Sequence, residues 1–188
     1  GVAPMVDLGK DIGGPQWIFG QRSFAFLDDG SVAFAYHDDG VERLAVREPD
    51  FGRVTTLDVG HTVIDGLHAW GSQLAYVAAG PTSEPHVVAV SPERAQVEVV
   101  VAPRDLGLDE AWWSVPEAID FPTADGQTAH ALLYPPTNPE CTGPEGERPP
   151  LLVMIHGGPT SAARPMLALG KQYWTSRGFA VVDVNYRG

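Results

Sequence analysis

The first part of the chain alternates short apolar runs with turn sequences. Four runs lie between residues 24 and 58, separated by Asp-Gly or Pro-Asp turns, and four more lie between residues 64 and 101. Asp and Gly tolerate the positive φ of tight hairpin turns, so Asp-Gly between apolar runs is a strong hairpin signal. The pattern predicts two groups of four strands, at 24–27, 31–36, 42–47 and 53–58, then at 64–70, 73–79, 86–90 and 96–101.

The two groups repeat with the period of a β-propeller blade. Corresponding strands start about 43 residues apart, and a blade has four strands and about this length. A propeller needs at least about four blades, so two blades predict others outside this chain. The chain also begins with Gly1 and ends at Gly188, directly after an apolar run. We therefore expect it to be a piece of a longer polypeptide.

Beyond residue 112 the pattern changes to that of a mixed α/β fold. Strands are predicted at 118–121 and 128–134, joined by a turn at Asp125-Gly126, and a Pro- and Gly-rich loop follows at 135–150. Leu151–Ile155 is a continuous apolar run, typical of a strand buried on both faces of a sheet. A helix is predicted at 165–177, with an apolar face of Leu167, Leu169, Tyr173 and Trp174, and a strand at 179–184. Strand, helix and strand form a βαβ unit.

A glycine turn, His156-Gly157-Gly158-Pro159, follows the strand Leu151–Ile155. Open α/β sheets bind ligands at the carboxyl ends of their strands. Two glycines allow a sharp turn that exposes a backbone N–H, as in the loop that binds the oxyanion in hydrolases. The residues alone also fit a plain tight turn. They do not fit a phosphate-binding loop, since the G-x-x-x-x-G-K-[ST] pattern is missing.

Longer stretches around this turn resemble the prolyl oligopeptidase family of serine peptidases, in its acylaminoacyl-peptidase and dipeptidyl-aminopeptidase-like branch. They are WWSVPEAIDFPTADGQTAHALLYPP (112–136), PPLLVMIHGGPTS (149–161) and QYWTSRGFAVVDVNYRG (172–188). The resemblance implies the last two or so blades of an all-β propeller, residues 1–111, followed by the first part of an α/β-hydrolase domain, residues 112–188.

The resemblance also implies roles for the turn. Gly158 matches the residue whose backbone N–H forms half of the oxyanion hole, and Gly157 and Pro159 shape the loop. His156 falls where other branches of the family have a tyrosine whose hydroxyl stabilises the oxyanion; here we expect the backbone donor instead. The residues Asn185 to Gly188 resemble the loop after the next strand, and we assign Arg187 no role.

The residues that carry out the chemistry are missing from this sequence. No serine stands in the G-x-S-x-G frame of a nucleophile elbow, and in chain order the serine, acid and histidine all follow the glycine loop. We therefore expect an intact serine peptidase acting on short peptides or acylated or N-terminal amino acids, and no activity from these 188 residues alone. Two alternatives stay open: a carboxylesterase or lipase, and a non-catalytic binding protein.

Composition narrows the possible partners. The net charge of −12 disfavours contact with nucleic acid, whose phosphates are also negative. No run is long enough to span a membrane, and no secretory signal opens the chain, so we expect a cytoplasmic protein. Cys141 is the single cysteine and lies in a polar loop, as a surface thiol would. We expect a small peptide or acylated amino acid as substrate, and no metal or organic cofactor. The oligomeric state is not predicted.

Overall fold

The computed structural model describes residues 4–14, 17, 19–50, 52–158 and 161–186. The chain forms two compact units, one of Gly1–Gly80 with Glu84–Arg104 and the other of Asp105–Gly188 with Pro81–Ser83. The domain limits 1–111 and 112–188 stay a prediction. In the described residues, no helix is long and apolar enough to cross a membrane.

The first unit contains two four-stranded sheets whose strands follow one another in chain order. This is the strand arrangement of propeller blades and confirms the predicted fold. The strands of the first sheet are β1 (Phe24–Phe26), β2 (Val32–Asp38), β3 (Val41–Arg47) and β4 (Val54–Leu57). Those of the second sheet are β5 (Val63–Trp70), β6 (Gln73–Gly80), β7 (Ser83–Ser91) and β8 (Gln96–Val101).

The turn between β2 and β3 shows why Asp-Gly predicts these hairpins. Asp38 pairs with Val41, which leaves a two-residue loop. Its residues, Asp39 and Gly40, have φ of 49° and 77°. Positive φ at both central positions matches the right-handed twist of the flanking strands.

The core of the first unit is built from small and branched side chains of both sheets. Its most buried members come from β2, β3, β6 and β7 and from Leu67 of β5; they are Ala33, Leu44, Leu67, Leu74, Ala78, Val88 and Val90. Because residues alternate between the two faces of a strand, each sheet sends every second side chain into this core.

The second unit is a four-stranded mixed sheet in the order β11-β12-β10-β9, with one α-helix. Its strands are β9 (Glu117–Pro122), β10 (Thr128–Tyr134), β11 (Leu151–Ile155) and β12 (Ala180–Asn185), and the helix is α1 (Leu169–Thr175). β12 pairs in parallel with β11 and antiparallel with β10. A strand, a helix and a parallel strand confirm the predicted βαβ unit.

The helix differs from its prediction in length and in the face that it buries. It begins at Leu169, not at residue 165, because Ala168 still has an extended conformation with φ of −129°. Its buried residues are Gln172 and Thr175, whereas Leu169, Tyr173 and Trp174 of the predicted apolar face are exposed. Gln172 is buried because it binds the backbone of Ser114, donating from Nε2 to the carbonyl and accepting from the amide at 3.0 and 2.8 Å.

β11 is less buried than its apolar sequence predicts. Leu151, Val153 and Ile155 are exposed, while Leu152 and Met154 pack against the core that contains Tyr134 and Val181. The strand lies at the edge of the sheet, and only one of its faces is covered within the described residues.

Candidate active site

The glycine turn lies where two parallel strands end side by side. Ile155, the last residue of β11, pairs with Val184 of β12. His156 therefore follows β11 at the same edge of the sheet where Asn185 ends β12 and Tyr186 follows it. This is the edge at which α/β sheets bind ligands, as the sequence predicts for the turn.

Gly158 takes a backbone conformation that favours glycine. Its φ is 73°, in the left-handed region that costs other residues about 1–2 kcal/mol. Its carbonyl accepts a hydrogen bond of 2.7 Å from the Tyr186 hydroxyl. Gly157 differs, because it has no positive φ and a Cβ placed there would meet no atom within 4 Å. The local geometry thus favours glycine at 158 and tolerates a side chain at 157.

His156 is held by a ring contact. Its imidazole stacks on Tyr186, with ring centroids 4.3 Å apart and planes within 11°. Its Nδ1 lies 3.5 Å from the Gly157 carbonyl oxygen, and its Nε2 is buried with no hydrogen-bond partner among the described residues. The structure thus brings together His156, Gly157 and Gly158, whereas Pro159 and Arg187 lie outside the described residues.

Asn185 fixes the chain beyond the turn. Its Oδ1 accepts a hydrogen bond of 2.7 Å from the Ala163 amide. Ala163 is buried in the core formed with Leu132, Tyr134 and Val181. Two successive residues thus contact this part of the chain: Tyr186 binds Gly158 in the turn, and Asn185 binds Ala163 beyond it. No contact was predicted from the sequence for either residue. The one indication of these contacts in the sequence is that both residues come after the apolar run 179–184, which is predicted to form a strand beside the turn.

A buried ion pair anchors the strand that carries these two residues. Lys171 Nζ lies 2.5 Å from Asp183 Oδ2, and the two side chains are 13% and 12% exposed. The Lys171 ammonium also donates to the Tyr134 hydroxyl at 3.3 Å and lies over the Tyr134 ring. Burial raises the pKa of the Tyr134 hydroxyl above its ordinary value.

The described residues contain no serine hydroxyl that binds a histidine. Ser31, Ser114 and Ser176 donate to other groups, and Ser114 is fully buried with its hydroxyl 2.6 Å from the Pro135 carbonyl. His130 and Asp120 form a 2.6 Å pair across β9 and β10, but both side chains are about two-thirds exposed to solvent. Among the described residues, no serine is therefore paired with a histidine in the way that activates a nucleophile.

Comparison with known proteins gives matches among solved structures. No family model matches the sequence, and no curated protein matches it. A puromycin-hydrolysing peptidase from Mycobacterium tuberculosis is 35% identical with a TM-score of 0.89 over 96% of this chain. A puromycin hydrolase is 33% identical with a TM-score of 0.90 over 98% of this chain. An acylaminoacyl peptidase from Pyrococcus horikoshii, 22% identical with a TM-score of 0.60 over 84%, shares the fold.

The matched structures show the fold of this chain and the proteins to which it is homologous. The chain has the fold of propeller blades followed by the first part of an α/β-hydrolase domain, and it spans 28% of the length of the first two matched proteins. It is homologous to peptidases of the prolyl oligopeptidase family, which confirms the resemblance seen in its sequence.

Proposed function

We propose that this chain is part of a longer serine peptidase that hydrolyses short peptides or acylated or N-terminal amino acids. The observation that carries the proposal is the left-handed Gly158, at the carboxyl edge of two parallel strands, in a chain 35% identical to a puromycin-hydrolysing peptidase. That peptidase is more than three times as long as this chain, which covers 28% of it. The serine, acid and histidine would then come from the part of the protein beyond these 188 residues.

In this proposal the Gly158 N–H donates to the oxyanion that forms when a serine attacks the substrate carbonyl. A histidine from the rest of the protein takes the serine proton and delivers it to the leaving group. One donor of this kind contributes about 10²–10³ in kcat in a well-studied hydrolase. Gly157 and Pro159 shape the loop, and the His156 side chain is not the catalytic base.

The proposal extends to location and partners. A cytoplasmic location is expected for the intact protein and is tested by cell fractionation. The substrate is a small peptide or an acylated amino acid, and the net charge of −12 favours such a substrate over a nucleic acid. No metal or organic cofactor takes part in the proposed steps. Two matched proteins are named for puromycin hydrolysis, so puromycin is the first substrate to test.

The test compares the full-length protein with the 188-residue chain, using a fluorophosphonate probe that reacts with activated serines. We expect the full-length protein to be labelled on one serine and to release product from puromycin and from a peptide anilide. We expect the 188-residue chain to stay unlabelled.

Three other results would contradict the proposal. Labelling of the short chain would place an activated serine within it. Activity of the full-length protein on short-chain esters but not on peptide anilides would indicate a carboxylesterase. A full-length protein that is neither labelled nor active would indicate a binding protein.

A further inference from the structure

The shape of the glycine turn depends on a side chain from the neighbouring strand. The Tyr186 hydroxyl donates to the Gly158 carbonyl at 2.7 Å, and Tyr186 directly follows β12. Glycine has the widest backbone freedom of all residues, so a turn with two glycines does not hold one conformation by itself. The Tyr186 hydroxyl holds the carbonyl of Gly158, the residue whose φ is 73°.

The ring of Tyr186 also contacts His156, whose imidazole lies beside the peptide group between Gly157 and Gly158. The stacked imidazole has its Nδ1 3.5 Å from the Gly157 carbonyl oxygen. Gly157 C=O and Gly158 N–H belong to one peptide group, which is planar and trans, so they point in opposite directions. The His156 ring thus lies beside one end of the peptide group whose other end is the Gly158 N–H.

We propose that Tyr186 is a positioning residue of the oxyanion hole, acting by its hydroxyl on the Gly158 carbonyl and by its ring on His156. The inference rests on the proposed function of Gly158. Tyr186 need not touch substrate in this role. Its effect is to hold the donor before the reaction begins, which is where preorganised donors gain their catalytic value.

The experiment replaces Tyr186 by Phe in the full-length protein, which removes the hydroxyl and keeps the stacked ring. We expect kcat to fall about fivefold, the effect of one ordinary hydrogen bond, with KM within about twofold of wild type. We also expect a peptide aldehyde, which forms a tetrahedral adduct with the serine, to lose affinity by the same factor. A ground-state competitive inhibitor should bind as to wild type. A merely structural role would not separate the two inhibitors.

Two further variants keep the test decisive. Tyr173→Phe makes the same change at an exposed tyrosine of α1 and should leave kcat, KM and both inhibitor affinities unchanged. His156→Phe keeps a ring against Tyr186 and removes Nδ1, and we expect kcat to fall about twofold to fivefold. Hydrogen exchange of the peptide that covers residues 156–158 should be faster in Tyr186→Phe than in wild type, whether or not the protein is active.

The outcomes separate this inference from the function on which it rests. An active wild type with an unchanged Tyr186→Phe variant overturns the role of Tyr186 and leaves the proposed function standing. A wild type that neither labels nor hydrolyses overturns both. A Tyr186→Phe variant that loses affinity equally for the aldehyde and the ground-state inhibitor overturns the positioning role.

Discussion

At the residue scale, Gly158 combines an unusual backbone angle with a proposed catalytic group. We predict that Gly158→Ala lowers kcat of the full-length protein about tenfold or more, because a Cβ at φ of 73° is strained and the turn relaxes to move its N–H. Steady-state kinetics on a peptide anilide measures the effect.

The control for this change is another glycine with the same backbone conformation. Gly146 has φ of 79° and lies in the loop before β11, where a Cβ would meet no atom within 4 Å. Gly146→Ala carries the same strain and should keep kcat. Equal loss in both variants would mean that strain in the fold, not the position of the donor, lowers activity.

The buried ion pair between Lys171 and Asp183 is a second feature at this scale. We predict that Lys171→Met lowers the free energy of unfolding of the second unit by about 3–5 kcal/mol, since Asp183 is left as an uncompensated buried charge. Urea denaturation measures the loss. Adding Asp183→Asn should recover part of it, because the stranded charge is then gone.

An exposed pair provides the comparison. Arg53 and Glu48 lie 3.2 Å apart with side chains 78% and 52% exposed. Removing Arg53 should cost less than about 1 kcal/mol. If both changes lowered the free energy of unfolding by a similar amount, burial would not explain the effect of removing Lys171.

At the element scale, the strands follow from local sequence and the helix does not. Apolar runs and turn sequences placed β2, β3 and β8 within two residues of their observed ends, because a strand with a short turn is specified by neighbouring residues. The buried face of α1 is set instead by Gln172, whose partner Ser114 is 58 residues away. No helical period contains that information, since the partner lies on a distant segment.

The loop between β4 and β5 places His61 against two elements of the second sheet. Its Nδ1 lies 3.0 Å from the hydroxyl of Tyr76 on β6, and its ring is 5.5 Å from that of His86 on β7. Burial, with a smaller contribution from His86, lowers the pKa of His61 below its ordinary value. The folded unit therefore binds a proton at this site less readily than the unfolded chain does.

This difference predicts a pH dependence of stability. The unfolded histidine takes up a proton near pH 6.5, so the first unit loses stability as the pH falls from there toward the lower folded pKa of His61. We expect His61→Gln to flatten the change in urea midpoint between about pH 7 and pH 5. His37→Gln, at an exposed position on β2, is the control and should keep the wild-type slope. If the urea midpoint of His61→Gln changed with pH as much as that of the wild type, His61 would not be the source of the pH dependence.

At the scale of the whole molecule, the sequence predicted the architecture and the place of the glycine turn after a strand of the sheet. The repeat of about 43 residues indicated the blades, and the apolar strand before His156 indicated the position of the turn. The contacts of Tyr186 with Gly158 and of Asn185 with Ala163 were not predictable, because they arise from the pairing of two strands separated by a helix. Substrate choice depends on pocket residues outside these 188 residues, so it stays a proposal.

The strand order of the second unit has a consequence for synthesis. β12 lies between β11 and β10 and is the last of the four strands to leave the ribosome. Until residues 180–185 emerge, the hairpin of β9 and β10 and the isolated β11 have no common partner, and β11 carries five apolar residues in a row. Asn185 and Tyr186 arrive with that same strand. The hydrogen bond from Tyr186 to the Gly158 carbonyl therefore forms only after β12 has joined the nascent sheet.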